Sequence, residues 1–250
     1  MIFLLGFLIA VAIGVTGVGA GIITAPVLIL FLHVPPAKAV GTALTFGLAV
    51  KLLVVPMQLF RRQVDFRVLK YLVAGGVPGV IVGSLILSKL NALANPGILY
   101  AALGSTIVVM AAVNLYRLWI APLHRETKDR SRLLPFLAFP IGAEVGFSSA
   151  GAGALGSLVL MAFTPLTAAQ VVGTDLFFGL CVSMVGSGFQ LTNGNYDPNV
   201  LTALVIGGLF GAFAGTYLAS IAPQRIFRVV LSIWLISLGI QLCWSGVHRL

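Results

Sequence analysis

Three ionisable side chains, Lys51, Glu144 and Asp175, lie inside apolar runs, and two glycine clusters, "GVTGVGAG" from Gly14 and "GFSSAGAG" from Gly146, interrupt two more such runs. A charge at the centre of a bilayer costs at least about 2.5–3.5 kcal/mol on insertion scales, so each of the three is a functional candidate. Lys51 can serve as counter-charge to a solute. Asp175 and Glu144 are candidate proton carriers, with a helix cap as the structural alternative for Asp175 and pairing with Lys51 for Glu144. The glycine clusters have two chemical uses. A Gly-rich loop cradles a phosphate at a helix N-terminus, or it breaks a membrane helix around a solute.

In both clusters hydroxyls precede a G-A-G: Thr16 before Gly19 and Gly21, Ser148 and Ser149 before Gly151 and Gly153. If a half-helix starts there, its free N–H groups carry the positive end of the helix dipole and favour an anion. The structural alternative is close packing of the two tips. A repeated "VGT" places Gly41 and Thr42, and again Gly173 and Thr174, in the first turn of a long apolar segment. Close helix packing and Thr-to-backbone bonding are the plain reading of that motif; solute contact is the functional one. Gln58 and Gln190 occupy equivalent places, and Lys51 lies seven residues before Gln58, on one helical face with Gly47 and Leu44.

The elements that position these residues follow from composition. Of 250 residues 59% are hydrophobic and 8% charged, against about 25% charged in soluble domains, so the chain is read as an integral membrane protein. Its apolar stretches are continuous, which predicts helices instead of alternating barrel strands. The net charge of +9 gathers in short loops beside apolar spans, which suits cytoplasmic retention better than nucleic acid. Cys181 and Cys243 fall within spans and read as small hydrophobes, with no disulfide, metal site or cofactor expected. The N-terminal run lacks a basic region and a small-residue cleavage site, so it is treated as part of the fold.

"VGTALTFGLAVKL" (Val40 to Leu52) matches "VGTDLFFGLCVSM" (Val172 to Met184) at eight of thirteen positions. The same offset, without a gap, pairs Gly19 with Gly151, Gly21 with Gly153, Gln58 with Gln190, Asp65 with Asp197, Gly79 with Gly211 and Gly83 with Gly215. Residues 1–118 and 133–250 therefore form two repeats, joined by a basic connector at 119–132. Each repeat reads as an interrupted segment (2–32; 133–163) followed by three spans (39–60, 68–89 and 97–118; 170–192, 199–220 and 226–247). Thirty residues of helix would run about 45 Å, too long for one span, and each arm alone is short. A re-entrant pair of half-helices meeting near mid-membrane fits both facts. Arg61, Arg62, Arg67 and Lys70 mark one loop as cytoplasmic, whereas the matching "NGNYDPNVLT" carries no positive charge. The basic connector, Arg225 and Arg228 also fall inside. The expected class is an all-α polytopic membrane protein of two inverted repeats, both termini outside.

The "GVGAGIITAPVLIL", "PPAKAVGTAL" and "RRQVDFRVLKYLVAGGVPGVIVGSLI" segments, answered by "SAGAGALGSLVLM", "TAAQVVGTDL" and "NGNYDPNVLTALVIGGLFGAFAGTYL", resemble the TauE/SafE sulfite exporter family of membrane permeases over nearly the whole chain. The resemblance implies transport of small sulfur-containing anions such as sulfite, thiosulfate or sulfonates, commonly outward across a bacterial inner membrane. Family members are also linked to other organic anions. This chain departs from the pattern in its "SSAGAG" tip and in carrying Ser183 where the first repeat has Lys51. An intramembrane enzyme is disfavoured, since His33, His124 and His248 fall in loops or at the end and no H-E-x-x-H occurs. A passive anion channel stays open, as does a homo-oligomer.

Overall fold

The computed structural model describes residues 2–16, 19–92, 96–120, 129–150, 153, 155–219 and 224–248. Ten α-helices run through them: α1 (Ile2–Thr16), α2 (Ala20–Phe31), α3 (Pro36–Phe60), α4 (Phe66–Ala92), α5 (Pro96–Ile120), α6 (Leu134–Ser148), α7 (Leu155–Phe163), α8 (Ala168–Thr192), α9 (Pro198–Ala219) and α10 (Gln224–Val247). Among the described residues there is no strand. Six helices, α3, α4, α5, α8, α9 and α10, contain apolar stretches long enough to cross a membrane. The protein is a multi-pass membrane protein. Its outer surface agrees, presenting Phe60, Phe136, Phe213 and Trp244 outward, as acyl chains tolerate and water would not.

Both interrupted segments break where the glycines stand, between α1 and α2 and between α6 and α7. The second break is shaped by Ser149, which caps α6 in the left-handed region (φ 67°), and by Gly153 at φ 101°, a conformation that L side chains rarely adopt. Just ahead of α6 the Arg130 N–H donates to the carbonyl of Phe163, the last residue of α7, at 2.9 Å. The outer ends of α6 and α7 therefore lie together.

Contacts between the halves come in reciprocal pairs. A Cβ on Gly75, Gly79 or Gly83 of α4 would collide with the backbone of Pro135, Phe139 or Ala143 of α6. One on Gly207, Gly211 or Gly215 of α9 would meet the backbone of Phe3, Phe7 or Val11 of α1 in the same way. Gly76 faces the ring of Phe178, and Gly208 faces the ring of Phe46. Every one of these pairs maps onto its twin by the sequence offset, the hallmark of a two-fold exchange. Small residues at these seams let backbones approach closely, which is the main source of helix association where the solvent is lipid.

The order of contacts gives the helix directions. α4 and α6 run parallel, as do α1 and α9, because the paired residues ascend together. α3 and α8 run antiparallel: Gly41 lies against Asn195 and Gln190, Leu44 against Gly186, and Lys51 against Gly179 and Ser183. α5 and α10 are antiparallel too, with Gly97 beside Gly246 and Val108 beside Gly239.

Candidate functional site

Where α3 crosses α8, the tips of α1 and α2 and the α6–α7 break close over a cavity of about 210 Å³. That volume is below the roughly 300–1,000 Å³ typical of sites for drug-sized ligands. Its walls are mostly small and apolar: Gly14 from α1, Gly19 and Ala20 at the head of α2, Gly47, Val50 and Val54 from α3, and Leu176 and Gly179 from α8. The polar groups are few. Lys51, Gln58 and Asp175 line the cavity, and Gly153 of the second tip completes it.

Lys51 lies near the middle of α3. Its ammonium donates to the Ser183 hydroxyl at 2.6 Å and to the Gly179 carbonyl at 3.2 Å, both on α8. Ser183 is the residue equivalent to Lys51 in the other half, 132 positions on, so the cation sits beside the two-fold exchange axis. An ammonium has three donors, and these bonds use two. Asp175, two turns into α8, is buried. A Cβ on Gly156, in the first turn of α7, would run into its Oδ1. The head of α2 adds a third polar feature. Gly19 is its N-cap with no side-chain capping bond; the Ile22 N–H turns back onto the Gly19 carbonyl at 3.2 Å, and the head meets the cavity at Gly19 and Ala20, where the first N–H groups of a helix lack the regular i−4 acceptor.

Of the residues singled out from the sequence, Gly19, Lys51, Gln58, Gly153 and Asp175 meet at this cavity. Gly21 does not line it. It is buried where the tips touch, its α-carbon pressed on Ser149 of the other half. Gly151 and the side chain of Thr16 lie outside the described residues.

Thr42 and Thr174, expected on the solute, instead brace the loops of the opposite half. Thr42 Oγ1 accepts from the Asp197 N–H at 3.1 Å, and Thr174 Oγ1 from the Asp65 N–H at 3.0 Å. Gly41 and Gly173 make room for the same loops, against the carbonyls of Asn195 and Gln63. The "VGT" motif is thus a docking notch at the head of each long helix. Gln190 is buried outside the cavity, its Oε1 accepting from Asn195 Nδ2 at 2.9 Å.

Glu144 also lies elsewhere. It opens onto a lateral groove of about 440 Å³ between α4 and α6, walled by Val82, Ile86, Phe139 and Phe147. Ser148 donates to its Oε1 at 2.6 Å and accepts from the Ala150 N–H at 3.2 Å, so the pair holds the second tip. Sequence reasoning missed Gly14, Gly179 and the acceptor role of Ser183. The spacing of Val172, Asp175, Gly179 and Ser183, steps of three and four along α8, carries the signal of one shared face.

A family model described as "Sulfite exporter TauE/SafE" matches residues 2–242. Among curated proteins of Bacillus subtilis strain 168, the chain is 26% identical to "Probable membrane transporter protein YjnA" over 96% of its own length and 98% of that protein's. It is 25% identical to "Probable membrane transporter protein YdhB", covering 91% of the chain and 93% of the relative. For "Probable membrane transporter protein YunE" the identity is 24%, over 99% and 98%. No solved structure matches the chain.

Proposed function

The chain belongs to the sulfite exporter TauE/SafE family, and from that premise we propose that it moves small sulfur-containing anions, such as sulfite, thiosulfate or organosulfonates, across a bacterial inner membrane by alternating access. The observation that carries this reading is the convergence of the Lys51 ammonium and the uncapped head of α2 on one cavity at the seam between the halves. A cation with one donor to spare and the backbone N–H groups at the head of α2 recognise an oxyanion without needing a carbon skeleton to grip. Gln58 and Gly153 complete the wall, and the apolar remainder excludes water.

The helix directions support two inverted repeats. Equivalent helices α3 and α8 run antiparallel, as do α5 and α10, which is the relation an in-plane two-fold axis produces. The α6–α7 pair fits a re-entrant hairpin, since its outer ends are joined by the Arg130–Phe163 bond. Arg67 and Asp129 approach to 3.9 Å, which puts the α3–α4 loop and the connector on one face; as an exposed pair it adds little stability. The basic residues make that face cytoplasmic.

The test is a thermal-shift and binding screen of the purified protein against sulfite, thiosulfate, ethanesulfonate and acetate. At least one sulfur anion is expected to raise Tm, with affinity at least tenfold weaker in Lys51→Ala. Equal binding by Lys51→Ala removes Lys51 from the site, and no response to any sulfur anion removes the substrate class. In proteoliposomes, flux that saturates with anion concentration marks a carrier, and flux linear in concentration marks the channel alternative.

A further inference from the structure

Beside Lys51 the cavity holds a second ionisable group. Lys51 and Asp175 are the ionisable side chains among the described lining residues, and their charges cancel when both are ionised. An entering anion upsets that balance, because it brings a second negative charge into a small apolar space where charges are poorly screened.

Both charges depart from the two-fold pattern. Asp175 corresponds to Ala43 in the first half, and Gly156, against which its carboxylate rests, corresponds to Thr24. Lys51 corresponds to Ser183, which accepts its hydrogen bond. A side chain larger than glycine at position 156 would occupy the space of the Asp175 carboxylate. The acid is therefore accommodated by its surroundings.

We propose that Asp175 is a proton-binding site linked to the anion: occupation of the cavity by an anion is accompanied by uptake of one proton on the Asp175 carboxylate, which becomes the neutral acid. The proposal rests on the anion reading above and deepens it. The linkage is reciprocal, so the proton strengthens anion binding by the factor by which the anion strengthens proton binding. The pair then travels together, and the direction of net flux follows the combined gradients.

Other charged groups around Asp175 are committed elsewhere. From α3 it meets Lys51. From the loop ahead of α4 comes Asp65, whose carboxylate caps α4 by accepting from the Val68 N–H at 3.0 Å. On α4, Arg67 is exposed and paired with Asp129, and Lys70 is exposed. Glu144 of α6 is bonded to Ser148 and faces the lateral groove. α7 carries no ionisable residue.

The experiment adds ethanesulfonate or thiosulfate, both fully ionised near neutral pH, to the purified protein in weakly buffered detergent containing a pH-indicator dye. One proton taken up per anion bound is expected, together with a Kd that rises about tenfold per pH unit once Asp175 ionises. Asp175→Asn is expected to bind without proton uptake and with a Kd flat in pH. Anion binding by the parent with no proton uptake overturns the proposal and leaves the anion site standing. A variant that keeps the parent's uptake moves the proton to another group and overturns it as well. If neither anion binds the parent, the site itself is wrong and the proposal falls with it.

Discussion

The two halves use one set of packing contacts and two sets of chemical groups. At the seams they match residue for residue: glycine on backbone between α4 and α6 and between α1 and α9, a phenyl ring on Gly76 and on Gly208, a threonine under each loop. Around the cavity they part. Lys51 faces Ser183 and Asp175 answers Ala43; away from the cavity, Glu144 stands where the first half has Ala12. Gln190 is held by Asn195, while Gln58, whose neighbouring loop offers Gln63 at that place, is left in the cavity wall with its Oε1 unbonded. Packing constrains shape and tolerates duplication. At the axis, identical halves would set two ammoniums or two hydroxyls side by side, whereas Lys51 and Ser183 set one donor against one acceptor.

Substitutions made in matched pairs test this division. The largest effect is expected from Gly79→Leu and Gly211→Leu, each forcing a side chain into the opposing backbone. Each should destabilise the folded protein by about 3 kcal/mol, the upper end for overpacking, and by similar amounts in detergent unfolding; tolerance of one alone would break the equivalence of the seams. Next comes Lys51→Ala, expected to weaken anion binding by about 10–150-fold, the worth of a charged hydrogen bond. Exchanging the two residues, Lys51→Ser with Ser183→Lys, returns the cation to the same axis and should recover most of that loss in a binding titration. Failure to recover would place the axis elsewhere.

Thr42→Ala and Thr174→Ala each leave a loop N–H without its acceptor and should cost about 1 kcal/mol of stability, with Kd for the anion unchanged. A weakened Kd would return the hydroxyls to the solute. The smallest effect belongs to a turn. Arg62 (φ 52°) and Gly194 (φ 68°) hold equivalent left-handed positions, so Arg62→Gly should stabilise the fold and Gly194→Ala destabilise it, each by about 1 kcal/mol or less, read as a rise and a fall in Tm.

Helix boundaries and the two breaks were legible in the sequence because hydropathy reports depth and length. The span read as 39–60 starts only three residues after α3 does, and both interruptions fall at the glycines. The site was legible in part. Lys51, Gln58 and Gly47 share a face by spacing alone, and the cavity holds all three. What spacing could not give was the rotation of each helix about its axis. α3 and α8 are apolar on nearly every face, so nothing in their pattern says which side meets lipid and which meets a neighbour. Glu144 lies on α6, and its spacing does not tell a pathway position from the lateral groove it faces. Nor does spacing reveal that Thr42 Oγ1 accepts from the Asp197 N–H, which belongs to a loop distant in sequence.

The pairing of α1 with α9 has a consequence for how the molecule is made. Phe3 and Phe7 leave the ribosome well ahead of Gly207 and Gly211, the α9 glycines that receive them. At ~5–20 residues per second that wait lasts roughly 10–40 s. During that time the first helix sits in the membrane with its closest packing face turned to lipid or to the insertion machinery. Neither half can complete its own seams, since α6 likewise belongs with α4. A chain cut within the connector would yield two fragments that mature only when produced together.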